Sequence, residues 1–160
     1  NNLHTVCPIG MRKEKRMNII LAAHGKLAGE VANSANMVFG QIDKLDTVAF
    51  VPGENAENLK AKYQELIAQY DAAEEILFVV DLFGGSPYNA AFETVMQEDR
   101  MDVITGLSLP MLIDIVGIRE MHEGIKAVQV YEKLNAMDYV KSGKTLFGNV
   151  QEEEEEEDEL

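Results

Sequence analysis

His24 closes a short apolar run that begins at Met17, and Gly25 follows it directly in the stretch AAHGKLAGEV. An imidazole in that place can be half-buried filler, a metal ligand or a nucleophile. Asp81 closes a second apolar run, Ile76 to Val80, and leads into Leu82-Phe83-Gly84-Gly85-Ser86-Pro87. A carboxylate that accepts one ring N–H of an imidazole fixes its tautomer and makes the other nitrogen the better nucleophile. The turn Gly84-Gly85-Ser86 is able to aim backbone N–H groups at one place, and a helix N-terminus behind it adds positive potential where a phosphoryl group gathers charge. Ser86 adds a hydroxyl to that spot, and Gly25 joins the same phosphate-binding set from behind the histidine. Together these residues describe a phosphate acceptor site built around His24, with Asp81 and Ser86 as its catalytic companions.

Taken singly, each feature has a plainer reading. A histidine at a strand end is often a satisfied half-buried residue, an aspartate after a strand a turn former, and a Gly-Gly-Ser-Pro turn mere punctuation. His4 and His122 lie elsewhere, and no pair of histidines has metal-ligand spacing, so no metal site is expected. Met37, Phe39, Phe92 and Met96 fall at helical spacing and read as core filler.

The elements that must position these groups alternate. Asn18 to Ala23 reads as a strand, followed by a helix from about Leu27 that Gly40 stops. Asp46 to Val51 gives a second strand, ended by Pro52-Gly53. Asn55 caps a helix whose Leu59, Tyr63, Leu66, Ile67 and Tyr70 form one apolar stripe. Ile76 to Val80 is apolar throughout, as a central strand covered on both faces should be. Ser86 is placed to cap and Pro87 to open a helix running to about Glu98. Asp102 to Gly106 makes the fourth strand, Pro110 opens a helix through Met121, and a further helical stretch spans about Gly124 to Val140. Lys144 to Phe147 reads as one last short strand.

Strands alternating with helices require right-handed crossovers and a parallel sheet with helices on both faces. The fold class is therefore α/β, doubly wound, a three-layer sandwich. Ligands in such sheets bind beyond the carboxyl ends of the strands, where strand order reverses. In a 2-1-3-4 order the first and third strands are neighbours, and His24 meets Asp81 there.

Composition narrows the function classes. The 160 residues carry a net charge of -14, but Glu152 to Glu157, Asp158 and Glu159 supply eight of the 28 acids. Without them 20 acids face 14 bases, a balance of -6. The bases are scattered rather than gathered on one face, which excludes nucleic acid as the main partner. The Glu run repels itself and reads as a disordered tail over 149–160. No apolar run approaches the roughly 20 residues of a membrane span. The opening sixteen residues lack the apolar core of a secretory signal and read as a flexible arm, leaving 17–148 as one domain. Cys7, the one cysteine, excludes an internal disulfide framework and suits the cytoplasm.

The stretches AAHG, FVPGENAENL and FVVDLFGGSPYNAA, with LPMLI after the fourth strand, closely resemble the IIA domain of the mannose-type sugar phosphotransferase system, in order from about Met17 to Val140. The resemblance implies that the histidine matching His24 takes phosphate from the phosphohistidine carrier HPr and passes it to a IIB component, with membrane IIC and IID components further along. It implies that the aspartate matching Asp81 hydrogen-bonds the active imidazole, that the serine matching Ser86 helps hold the site, and that no cofactor is needed. It further implies a homodimer that exchanges a last antiparallel edge strand, here Ser142 to Phe147. No IIB domain follows residue 150 in this sequence, so IIB is expected as a separate polypeptide. Leu82-Phe83 is an exposed apolar pair with two readings, part of a docking face for HPr or IIB, or ordinary loop packing.

Four other readings meet obstacles. A histidine phosphatase needs an arginine immediately before its histidine, where Ala23 stands. A receiver-like signalling domain phosphorylated on Asp81 needs acids after the first strand to bind magnesium, and Leu21-Ala22-Ala23-His24 supplies none. A flavodoxin-like carrier needs a hydroxyl-rich phosphate loop there. The phosphotransfer subunit of dihydroxyacetone kinase shares the histidine chemistry, and the GGSP turn favours the sugar-transport branch over it.

Overall fold

The computed structural model describes residues 16–148. The expected arm and acidic tail lie outside these residues, apart from Arg16. The chain alternates β1 (Asn18–His24), α1 (Leu27–Phe39), β2 (Leu45–Phe50), α2 (Ala56–Ile67), β3 (Ile76–Val80), α3 (Ser86–Val95), β4 (Met101–Thr105), α4 (Leu109–Met121) and α5 (Ala127–Lys133), then a 3-10 turn at Ala136–Asp138. The four strands form one sheet in the order β2-β1-β3-β4, every pair parallel. The expected class and strand order are those observed.

β1 and β3 read as unbroken apolar runs because both of their faces are covered. Ile19, Leu21, Ala23, Leu77 and Val79 pack with α1 and α4. Ile20, Ala22, Phe78 and Val80 pack with Leu59 and Tyr63 of α2 and with Ala90 and Ala91 of α3. Sheet and helices thus make three layers. α2 starts where Asn55 caps it: the Asn55 side chain accepts from the Asn58 N–H at 3.0 Å, and Asn58 returns a bond to the Asn55 N–H at 2.9 Å. α4 starts at Ser108, whose hydroxyl accepts the Met111 N–H.

The far pole of the sheet is tied by Arg119, only 4% exposed. Its guanidinium donates to the carbonyls of Met17, Asp43 and Lys44, so α4 clamps the entries of β1 and β2.

Three expectations are corrected. The helix expected over 124–140 ends at Lys133, because Leu134 turns extended and Asp114 of α4 draws the following chain across by accepting the Asn135 N–H and the Tyr139 hydroxyl. Residues 143–148 are helical rather than a strand, begun by Ser142, whose carbonyl accepts from Leu146 and whose hydroxyl accepts from Thr145. Met37, Phe39, Phe92 and Met96 are exposed, not core. α1 lies against the sheet on the small residues Ala28, Val31, Ala32 and Ala35, and α3 on Pro87, Ala90, Ala91, Thr94 and Val95, leaving the four large side chains on the opposite faces or beyond the contact.

Candidate functional site

β1 and β3 are neighbours, so His24 and the residue following β3 emerge together at the carboxyl edge of the sheet. His24 Nδ1 lies 2.8 Å from Asp81 Oδ2, and the same oxygen accepts the His24 backbone N–H at 3.0 Å. Asp81 Oδ1 accepts the Leu82 N–H at 2.9 Å. Three N–H donors therefore converge on one carboxylate. Burial pushes the Asp81 carboxyl up, but the two bonds from His24 and the one from Leu82 outweigh it and hold the group below the usual carboxylate range. Asp81 stays ionised, and its carboxylate is the acceptor that keeps the proton on His24 Nδ1. The Asp81 side chain is 9% exposed against 47% for His24, so the orienting group is sheltered while the ring reaches solvent. Nε2 is left as the nitrogen with a free lone pair.

Two further contacts fix the ring. Phe50, opposite His24 in the parallel register of β1 and β2, meets it edge-on at 5.4 Å between centroids. On the Cε1 side the ring lies over Gly85, where an added Cβ would come within 3.2 Å of Cε1. Sequence reasoning did not single out Phe50. The signal was available in the shared ending of the first two strands, since in a parallel pair residues that close both strands sit side by side.

The Gly-Gly-Ser turn differs from its expected arrangement. Gly85, extended at φ -75° and ψ 170°, is the N-cap of α3, while Ser86 occupies the first helical position and makes no capping bond. The N–H of Gly85 faces Leu82 O at 3.4 Å, and that of Gly25 donates to Phe50 O at 2.8 Å. Both N–H groups are thus directed at acceptors within the chain. The N–H groups of Gly84, Ser86 and Tyr88 have no acceptor among the described residues, and Asn89 Nδ2 holds the Gly84 carbonyl at 3.1 Å. Gly25 and Gly84 adopt positive φ, 61° and 80°, which a side chain would strain. The free donors at the start of α3 make an anion-friendly helix terminus beside the imidazole.

Two groups missed in the sequence brace this geometry. Tyr63 of α2 is fully buried and donates its hydroxyl to the Pro87 carbonyl at 3.0 Å, tying α2 to the first turn of α3. Lys62 bonds both Glu54 and the Ala49 carbonyl, and Glu54 accepts the Val51 N–H, so the loop after β2 is pinned next to the site. Leu82 and Phe83 are 59% and 79% exposed. Phe83 rests on Tyr88, and Tyr88 on Phe92, extending that apolar surface along α3. Leu27 and Val51 are also exposed beside the ends of β1 and β2. Among the described residues no group of three or more acids, histidines or cysteines is arranged to hold a metal ion.

The chain is similar to known proteins of one family. Residues 18–132 match the family model described as PTS system fructose IIA component. The fructose-specific EIIA component of Bacillus subtilis is 36% identical over 104 residues, covering 65% of this chain and 71% of that protein. The mannose-specific EIIAB component of Escherichia coli is 38% identical over 102 residues, which cover 64% of this chain but 32% of that protein. The matched part therefore spans about a third of that longer relative. Among solved structures, the phosphotransferase system component EIIA from Streptococcus agalactiae superposes with a TM-score of 0.71 at 23% identity, over 81% of this chain and 98% of that one. At that identity the likeness is one of fold.

Proposed function

The chain belongs to the IIA family of the sugar phosphotransferase system, and from that premise we propose that His24 is its phosphoryl carrier, loaded and unloaded at Nε2. The observation that carries this reading is the 2.8 Å bond between His24 Nδ1 and Asp81, which commits one ring nitrogen and leaves the other facing outward on a half-exposed ring.

The chemistry is an exchange of one N–P bond for another. The Nε2 lone pair of neutral His24 attacks the phosphorus of a phosphohistidine on the donor, the N–P bond of the donor breaks, and its imidazole leaves with the electron pair. His24 then carries positive charge shared over the ring, and the ionised Asp81 stabilises it through Nδ1–H without taking the proton. The free N–H groups of Gly84, Ser86 and Tyr88, with the Ser86 hydroxyl, are the donors suited to the phosphoryl oxygens. Transfer onward reverses the steps towards the next protein.

HPr as donor and a IIB component as acceptor follow from the family, with the membrane IIC and IID components reached only through IIB and the cytoplasm as the place of reaction. No helix among the described residues is long and apolar enough to cross a membrane. Leu27, Val51, Leu82 and Phe83, exposed round the carboxyl edge, are the apolar contacts for these partners. A homodimer is supported by the outer edge of β4, unpaired among the described residues, where Asp102, Val103, Ile104 and Thr105 line a groove of about 690 Å³. Asp102, Glu132 and Asp138 give that groove a negative lining, and the segment 142–147 with its neighbour Lys141 brings Lys144, Leu146 and Phe147 to complement it from a second copy. Residues 143–148 would then exchange their helical turn for a strand.

Incubation with phosphoenolpyruvate and the general carrier proteins should place an acid-labile, alkali-stable phosphate on His24. Retention of the label by a His24→Ala protein overturns the assignment.

A further inference from the structure

We propose that Gly85 is a positioning residue for the imidazole: the absence of a Cβ there leaves the His24 ring the last few tenths of an ångström of its seat. The inference rests on His24 being the phosphoryl carrier and adds what holds the ring at the required angle.

Glycines occur in such turns mostly because the backbone demands them, and Gly25 and Gly84, both at positive φ, fit that rule. An added Cβ at either meets nothing within 4 Å. Gly85 is the reverse. Its φ of -75° and ψ of 170° suit any residue, so the backbone does not require glycine there. A Cβ at this position would stand 3.2 Å from His24 Cε1, with Leu82 Cβ and Leu82 O following at 3.7 Å. Comfortable carbon contacts begin near 3.5 Å, so the ring would have to give by a few tenths of an ångström.

The ring cannot give freely. Asp81 holds Nδ1, and the edge contact with Phe50 bounds it on another side. Cε1 lies between the two nitrogens, so a displacement there moves both Nδ1, held by Asp81, and Nε2. Transfer between two imidazoles requires alignment of attacking and leaving nitrogens, and misplacement by about 1 Å costs on the order of 10²-fold in rate. A shift of a few tenths should cost about tenfold.

The test uses Gly85→Ala and Gly85→Ser in the full chain. Gly85 is the N-cap of α3, where alanine is a poor residue and serine a good one. Serine carries the same Cβ, and as a cap its hydroxyl would take the Tyr88 N–H, so the His24 ring-nitrogen shifts, read in both variants, separate contact with the ring from loss of that phosphoryl donor. Single-turnover transfer from phospho-HPr is expected to slow about tenfold in both variants, with the His24 ring-nitrogen NMR shifts moved in both. In the His24→Ala background the same substitutions should cost less thermal stability than in the parent chain, because the collision partner is gone. Wild-type transfer rates and unmoved ring shifts in both variants, with His24→Ala still unlabelled, would refute the role of Gly85 and leave the carrier assignment standing. A His24→Ala protein that is labelled would instead remove the premise.

Discussion

At the scale of single residues, the decisive relation is that Asp81 accepts three N–H groups with two oxygens. An asparagine there has one acceptor atom and one donor, so in either orientation its NH₂ faces an N–H. Asp81→Asn should therefore fold, yet lose control of the tautomer and slow phosphoryl transfer by on the order of 10²- to 10⁴-fold; rapid-quench transfer assays read this directly, and an unchanged rate removes Asp81 from the mechanism. The same bonds set a pH dependence. The Asp81 carboxyl is held below its ordinary value of 3.8, so its bonds stabilise the fold fully above that value and lose their effect as pH falls through the lowered one. The stability gap between wild type and Asp81→Asn should accordingly shrink between about pH 5 and pH 2, as followed by urea unfolding. His24 and Asp81 were legible in the sequence because each closes an apolar run, and a strand end is where such a fold presents its chemistry. The detail of the turn was not: Ser86 has the composition of a cap, but the N-cap is Gly85, and the close approach of its backbone to the His24 ring, 3.2 Å from an added Cβ to Cε1, leaves no trace in the sequence.

At the scale of elements, two buried contacts decide whether the edge of the sheet keeps its shape. Tyr63 links α2 to the Pro87 carbonyl through its hydroxyl. Tyr63→Phe keeps the ring packed on Phe78 and removes only that bond, for a loss of about 1 kcal/mol in denaturant unfolding. Arg119 serves the opposite pole, and Arg119→Met removes three bonds at once, to the carbonyls of Met17, Asp43 and Lys44, the last of which keeps the Ile19 N–H; this should cost about 2–4 kcal/mol. The strands and the first four helices were readable because periodicity and caps agreed, as at Asn55 and Gly40. The chain after Met121 was not, since its path depends on Asp114 reaching across from α4 to Asn135 and Tyr139. Such side-chain contacts have no periodic trace. The same limit explains Phe92 and Met96, whose spacing is helical but whose face is the outer one.

At the scale of the whole molecule, the exposed apolar surface points to protein partners. Met137, in the groove along β4, is 91% exposed, and Val140 and Phe147, further along the chain, are 87% and 65% exposed, far more than an isolated domain needs to show water. If a second copy covers that edge, sedimentation should give twice the chain mass of 17.8 kDa, and Leu146→Asp with Phe147→Asp should shift the protein to monomer; a monomeric wild type would contradict the dimer. Phe83→Ala should weaken transfer from HPr by raising KM with little change in kcat, since it removes contact area rather than chemistry. The relay as a whole rests on one atom. The most direct measurement is NMR of the phosphorylated chain, labelled from phosphoenolpyruvate through the general carriers. The expected result is a single phosphorus bonded to Nε2 of His24, with Nδ1 still protonated against Asp81. A phosphate found on Nδ1, on a carboxylate, or on a chain carrying His24→Ala would contradict the account.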